Sequence, residues 1–184
     1  MRTWSLHRAV ATLHAGGIVA CPTEAVYGLS CDPRNADAVH ALLALKQRPV
    51  DKGLILVASN FRQLEPYLGP LAKPARERVL QSWPGPHTWL WPAREDTPAW
   101  LTGKHDTLAV RVTAHPLMAA LCDAFGGALV SSSANLAGQR PARTALEVRT
   151  RFNARVDVIL HGRTGGAAKP STIRDARSNK ILRA

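Results

Sequence analysis

Short apolar runs alternate along the chain with segments in which apolar residues recur at helical spacing. Leu6, Val10 and Leu13 share one face of a predicted first helix, which Gly16-Gly17 ends. Residues 18–21 then form a short apolar strand. The N-terminal pattern therefore predicts a helix followed directly by a strand.

A polar turn and a second helix come next. Residues 23–29 lead from the turn into another short strand, which makes the turn a candidate ligand surface. Asn35 is expected to cap a helix with an apolar inner face, and this helix ends in Lys46-Gln47-Arg48-Pro49. Cations at a helix C-terminus also complement the helix dipole, an effect of about 0.3–1 kcal/mol. The position of Lys46 and Arg48 alone therefore leaves a purely structural role open.

The remaining pattern continues to alternate between strand and helix. Further strands are predicted at residues 53–58, 87–91, 107–112, 128–130 and 156–160, and helical segments at about 61–68, 74–82, 116–125 and 144–152. There is no detectable repeat and no long linker. This order predicts a mixed α/β sheet flanked by helices.

Two polar features interrupt the apolar strands. Arg111 lies within an apolar strand, and its guanidinium must reach solvent or meet a carboxylate from a side chain or a ligand. The apolar run 128–130 stops in Ser131-Ser132-Ser133-Ala134-Asn135, which is either an ordinary Ser/Asn turn or a strand end that delivers polar groups to a ligand.

Composition limits the class of protein. The chain has 184 residues, the size of one domain, and 46% of them are hydrophobic, without an apolar run long enough to cross a membrane. Cys21, Cys31 and Cys122 are odd in number and lack the spacing of a disulfide framework or a zinc site. We therefore expect a single domain, residues 1–184, in the cytoplasm.

The net charge of +11 is concentrated near the C-terminus. Residues 121–184 contain eleven Lys and Arg against four Asp and Glu. Such a balance is compatible with nucleic acid, with nucleotide phosphates or with a basic surface that binds neither, and charge alone does not separate the three.

Several common chemistries lack their motifs. The glycine-containing segment 162–172 does not have Walker spacing, and Pro170 separates Lys169 from Ser171. There is no GxGxxG after the first strand, no GxSxG and no HExxH. With only thirteen acidic residues, a protein-built metal cage is not expected, whereas Mg²⁺ carried by nucleotide phosphates needs few protein ligands.

A set of short motifs is similar, in content and order, to the YrdC/TsaC-type family. The motifs are Pro22-Thr23-Glu24-Ala25-Val26-Tyr27-Gly28-Leu29, Lys46-Gln47-Arg48-Pro49, Trp83-Pro84-Gly85-Pro86-His87-Thr88, Ala109-Val110-Arg111-Val112, Ser132-Ser133-Ala134-Asn135 and Pro170-Ser171-Thr172-Ile173. The match runs from about residue 3 to the C-terminus and resembles the short, single-domain form of the family.

The resemblance implies a fold and a reaction. The expected fold is α/β, a twisted sheet of mixed parallel and antiparallel strands flanked by helices, with a concave basic substrate cleft. The expected reaction condenses L-threonine, bicarbonate and ATP, with Mg²⁺, to threonylcarbamoyl-AMP and diphosphate. A downstream threonylcarbamoyl transferase complex would use the product to modify the adenosine beside the tRNA anticodon. Weak tRNA contact is also expected, and membrane contact is not.

The resemblance also implies roles for individual residues. Lys46 and Arg48 are expected to be catalytic, with Lys46 facing the carbamate or the phosphates. The threonine-binding residues would be Thr23, Tyr27, Arg111, Ser133 and Ser171, with Arg111 paired to the α-carboxylate of threonine. The ATP-binding residues would be Arg48, Lys52, Thr107, Asn135, Arg143 and Arg183.

Three positions depart from the family pattern. Ala25 stands where many relatives have Thr, Val57 stands where longer relatives place His, and His87 replaces an apolar residue. The threonine contacts at Ala25 and Val57 must therefore differ in this chain.

Two other interpretations remain open at this point. The first is a noncatalytic RNA-binding module that holds tRNA or double-stranded RNA through its positive charge, although RRM and KH signatures are absent. The second is a carbamoyl-adenylate domain that acts on another substrate.

Overall fold

The computed structural model describes residues 3–183. Its α-helices are Thr3–His14 (α1), Ala36–Lys46 (α2), Lys73–Gln81 (α3), Ala99–Thr102 (α4), Pro116–Phe125 (α5) and Ala145–Phe152 (α6). Its strands are Val19–Pro22 (β1), Tyr27–Ser30 (β2), Ile55–Ala58 (β3), His87–Pro92 (β4), Thr107–Val112 (β5), Leu129–Ser133 (β6), Val158–Ile159 (β7), Thr172–Asp175 (β8) and Ile181–Arg183 (β9). Short 3-10 helices lie at Val50–Lys52, Phe61–Gln63, Glu65–Tyr67 and Asn153–Arg155.

Within the described range the strands form one sheet in the order β7-β1-β2-β6-β3-β5-β4-β8-β9. The parallel pairs are β1 with β7, β3 with β5 and β4 with β8. The other neighbours run antiparallel. The predicted mixed parallel and antiparallel sheet with flanking helices is therefore confirmed.

The hydrophobic core lies on both faces of this sheet. Successive strand residues point to opposite faces, so Leu56 of β3 joins one buried cluster and Val57 joins the other. The second cluster also contains Cys21, Cys122 and Leu13, from β1, α5 and α1. The central strands are consequently buried on both sides, which fixes the positions of the residues at their ends.

Local signals explain how α2 begins and ends. The side chain of Asn35 accepts a hydrogen bond from the Ala38 amide at 3.0 Å, as its capping position predicts. Gln47 adopts a left-handed φ of 52°, and the amides of Gln47 and Arg48 then donate to carbonyls in the last turn. Lys46 is the last residue of α2, whereas Arg48 lies beyond the end of the helix.

Some predicted element bounds differ from the structure. The stretch 61–68, predicted as one helical segment, forms two single-turn 3-10 helices. Pro66 lies in the first turn of the second one. The strand predicted at 156–160 pairs only over Val158–Ile159. The run 128–130 continues as a strand through Ser133, because β6 pairs with β2 at Ser132 and Ser133. No helix in residues 3–183 is long and apolar enough to cross a membrane.

Candidate active site

A cleft of about 460 Å³ opens where β2, β5, β6 and β8 meet the segment after α2. Its lining includes the predicted site residues Thr23, Arg48, Lys52, Thr107, Arg111, Ser133, Ser171 and Arg183. Four predicted site residues, Tyr27, Lys46, Asn135 and Arg143, lie outside this lining. The sheet thus brings together residues that are far apart in the sequence.

Arg111 is held in the cleft wall by a carboxylate. Its Nη1 lies 3.1 Å from Glu24 Oε2, and both side chains are almost completely buried. The other carboxylate oxygen, Oε1, accepts hydrogen bonds from the Thr113 hydroxyl at 2.7 Å and the Ala114 amide at 3.0 Å. Of the two partners considered for Arg111 in its apolar strand, the structure shows a side-chain carboxylate.

The ionisation of this pair follows from its surroundings. Burial alone would raise the pKa of Glu24, but the charge of Arg111 and the hydrogen bonds from Thr113 and Ala114 outweigh it and lower the pKa. Burial lowers the pKa of Arg111, and Glu24 opposes that effect. The pair is therefore ionic at neutral pH.

Lys46 lies beneath the end of β6. Its ammonium donates to the carbonyl of Asn135 at 2.9 Å and to the carbonyl of Ser133. Burial, followed by the charges of Arg48 and Arg151, lowers the pKa of Lys46 to about 8. In this structure Lys46 positions the backbone that carries Ser133 and Asn135, and its predicted contact with carbamate or phosphate stays a prediction.

The polar side chains of Ser133 and Asn135 are engaged with each other. The Ser133 hydroxyl donates to Asn135 Oδ1 at 2.6 Å, and Asn135 Nδ2 donates to the carbonyls of Leu136 and Gln139 at 2.8 and 3.0 Å. Ser133 lines the cleft together with Ser131 and Ser132. The predicted ATP contact of Asn135 would require its amide to exchange partners.

Arg48 and Arg183 form a second group of cations in the cleft. Arg48 Nη2 donates to the carbonyl of Gly53 at 2.9 Å, and its buried Nε has no hydrogen-bond partner among the described residues. Burial and the charge of Arg183 lower the pKa of Arg48, while burial and the charge of Arg111 lower that of Arg183. Arg183 therefore repels both Arg48 and Arg111, and a bound anion would relieve that repulsion.

The other residues predicted to bind threonine are of two kinds, those that line the cleft and one that is buried and does not line it. Ser171 lines the cleft, where its hydroxyl shares a 2.7 Å hydrogen bond with Thr88. Thr23 also lines the cleft and donates to the Val26 carbonyl at 2.8 Å. Tyr27 is fully buried and donates to the Gly162 carbonyl at 2.7 Å, so it fixes the segment that follows β7.

Three further residues predicted to bind ATP differ in whether they line the cleft. Thr107 and Lys52 line the cleft. Arg143 is exposed and donates to the Ala168 carbonyl at 2.9 Å.

The three departures from the family pattern have distinct environments. Ala25 lines the cleft, Val57 is fully buried in the apolar cluster beside Arg111, and the ring of His87 lies 3.3 Å from the Thr172 hydroxyl.

Sequence reasoning assigned no substrate contact to Glu24, Ser131, Ser132 or His105, although the last three line the cleft. A signal for Glu24 was present, because Arg111 needed a carboxylate and Glu24 is the only acid in the polar turn of residues 23–29. The sequence did not show which acid the fold would bring to that arginine.

Comparison with known proteins identifies the family. A family model named Sua5_yciO_yrdC, described as "Telomere recombination", matches residues 11–184. The chain belongs to the Sua5/YciO/YrdC family. This agrees with the motif resemblance.

Members of the Sua5/YciO/YrdC family with similar sequences cover the whole chain. A protein from Halorhodospira halophila named threonylcarbamoyl-AMP synthase is 57% identical over 99% of this chain and 95% of its own length. One with the same name from Stenotrophomonas maltophilia is 55% identical over 100% of both chains.

A solved structure of the family has the same fold. A crystal structure of P. abyssi Sua5 complexed with L-threonine superposes with a TM-score of 0.88 at 32% identity over 94% of this chain. The match spans 51% of that Sua5 chain, so this chain corresponds to about half of it.

Proposed function

We propose that this chain is a threonylcarbamoyl-AMP synthase, which condenses L-threonine, bicarbonate and ATP to threonylcarbamoyl-AMP and diphosphate. The supporting observation is a single cleft whose lining includes Arg48, Arg111 and Arg183. Relatives that match the chain over its full length are named for this activity.

The chemistry requires positive charge at fixed positions. A carbamate formed on the threonine amine must approach the α-phosphate of ATP, so two anions have to be held close together. The diphosphate that leaves must also be neutralised. Holding the reactants in line can contribute about 7–11 kcal/mol to lowering the barrier, and cations stabilise the transferring phosphoryl group.

We assign the lining residues of the cleft to two groups, one for each anion. Arg111, Ser171, Thr23 and Ser133 would bind threonine, with the Arg111 guanidinium facing its carboxylate. Arg48, Lys52, Thr107 and Arg183 would bind ATP. Arg48 would stabilise the charge at the reacting phosphate, while Lys46 would hold the end of β6 and Tyr27 the segment at Gly162. Asn135 and Arg143 would reach ATP only after exchanging their present hydrogen bonds.

Magnesium would enter with ATP. The lining residues of the described cleft supply hydroxyls and cations, and none of them is Asp or Glu. This donor set suits a cation that is coordinated mainly by phosphate oxygens. Mg²⁺ would neutralise phosphate charge, and the residues of this chain would orient the phosphates.

The cellular setting is part of the same proposal. The product would pass to a threonylcarbamoyl transferase complex that modifies the adenosine beside the tRNA anticodon, in the cytoplasm, with only weak contact between tRNA and this chain. Residues 1–184 would act as one domain.

Omission of single substrates tests the proposal. Purified protein with ATP, Mg²⁺, L-threonine and bicarbonate should release diphosphate, and omission of threonine or of bicarbonate should abolish release. A protein that releases no threonine-dependent diphosphate but binds RNA tightly and in a salt-sensitive manner would instead be an RNA-binding module. Activity with carbamoyl phosphate in place of threonine would identify a different carbamoyl-adenylate reaction.

A further inference from the structure

The side chain of Glu24, in the turn after β1, contacts Arg111 in β5 and two residues that follow that strand. Glu24 is 9% exposed, and its Oε2 forms an ion pair with Arg111 Nη1 at 3.1 Å. Its other oxygen is fixed by Thr113 and Ala114. Glu24 therefore bridges the turn after β1 to the end of β5 and contacts the arginine that reaches the cleft.

Arg111 lies among apolar residues, so its charge depends on Glu24 for compensation. The strand neighbour Val57 is apolar, and Cys122 belongs to the same buried cluster as Val57. Glu24 is the only acid paired with Arg111 in the described part of the chain. A buried guanidinium without such a partner would be driven toward solvent.

The backbone of Glu24 is held as firmly as its side chain. Its carbonyl accepts from the Ala167 amide at 2.9 Å, and the adjacent Thr23 carbonyl accepts from the Gly165 amide at 3.0 Å. A Cβ on Gly165 would lie 3.1 Å from the Cα of Glu24, so the two segments are in close contact. The carboxylate is thus presented to Arg111 from a fixed backbone.

The contact occupies one nitrogen of Arg111, and the arginine also lines the cleft. Glu24 engages Nη1, whereas Nε is buried without a hydrogen-bond partner in the described structure. Guanidinium has five donors in a fixed plane, so holding one nitrogen orients all the others.

We propose that Glu24 is a positioning residue for substrate recognition: it orients Arg111 so that the cleft binds the carboxylate of an amino acid. The inference rests on the proposed function, because it concerns the threonine region of that site. Glu24 itself does not line the cleft and acts through Arg111.

Glu24→Gln tests the role at nearly constant size. Its oxygen can still accept from Thr113 and Ala114, which places its NH₂ group against the donors of Arg111. Isothermal titration calorimetry should show L-threonine affinity about 10- to 100-fold weaker, the loss of one charge-assisted contact, and unchanged ATP affinity. Asp123→Asn, which alters a carboxylate bonded to Ser59 and Gln63 away from the cleft, should leave both affinities unchanged.

A double-mutant cycle separates positioning from a general effect. If Glu24 acts through Arg111, then Glu24→Gln should weaken threonine binding no further in an Arg111→Met background. The double variant should also unfold at a higher temperature than Arg111→Met alone, since it no longer buries an unpaired carboxylate. If Glu24→Gln does not fold, Thr113→Val carries the test and should weaken threonine binding a few-fold with ATP binding unchanged.

Three results would overturn the inference. They are wild-type threonine affinity in Glu24→Gln, equal loss of threonine and ATP affinity in Glu24→Gln, and tighter threonine binding in Glu24→Gln, which would mean that Glu24 only reduces the charge of Arg111. Diphosphate release by the wild-type protein is measured separately. Its absence would remove the proposed function, whereas its presence with unchanged variants would remove only the role of Glu24.

Discussion

Replacing Lys46 with methionine should change how the stability of the protein depends on pH. Lys46 is 4% exposed and donates to the carbonyls of Ser133 and Asn135. Methionine keeps an unbranched side chain in that space but removes the charge and both hydrogen bonds. Removing a buried charge should raise the free energy of unfolding, and losing two hydrogen bonds should lower it. Near pH 7 the two effects should largely cancel, so that the free energy of unfolding changes by no more than about 2 kcal/mol.

The pH dependence gives the larger signal. The pKa of Lys46 is about 8 in the folded protein against an ordinary value of 10.5, with burial as the main cause. Between these two pH values the unfolded chain binds the extra proton, so the folded state gains stability as the pH rises. At about 1.36 kcal/mol for each pH unit, the gap corresponds to at most about 3 kcal/mol. Below pH 8 the full cost of burying the ammonium is present.

Urea unfolding of wild type and Lys46→Met at a series of pH values measures this difference. The free energy of unfolding of the wild type should rise relative to the variant by up to about 3 kcal/mol between pH 8 and 10.5. Lys104→Met, which changes an exposed side chain, should show no such trend. A constant difference between wild type and Lys46→Met over this range would refute the reasoning.

Other residues give shorter tests. Arg48→Ala should abolish diphosphate release while circular dichroism shows a folded protein, and an unchanged rate would exclude its catalytic role. Arg183→Ala should raise the KM for ATP about tenfold or more, because Arg183 lines the cleft, while Arg143→Ala should raise it less; the opposite order would contradict the ATP region. Tyr27→Phe removes the hydroxyl that donates to Gly162 and should lower the free energy of unfolding by about 1 kcal/mol, which chemical denaturation measures; no loss would contradict its structural role.

The sequence predicted most of the fold because the central strands are short, apolar and separated by clear helical patterns. The strand 107–112 and the helix 116–125 match their predicted bounds. The bounds of the strand at 156–160 were harder to predict although four of these five residues are apolar, since β7 pairs with β1 alone in the described sheet and only over two residues. Pairing, rather than propensity, set where that strand began and ended.

The candidate site was only partly predictable for a related reason. Motif resemblance indicated which residues belong near the substrates, and eight of them do line one cleft. Residue type alone did not show that Lys46 donates to backbone carbonyls or that Tyr27 fixes Gly162. Both roles depend on tertiary distances, because the partners are separated by 89 and 135 positions in the sequence.

The most direct test of the account is to identify the product. Purified protein should be incubated with ATP, Mg²⁺, L-threonine and ¹³C-bicarbonate, and the reaction analysed by mass spectrometry. The account predicts threonylcarbamoyl-AMP that carries the label, together with diphosphate, and neither product without threonine. Diphosphate without a labelled adenylate, or no diphosphate from a folded protein that binds ATP, would contradict it.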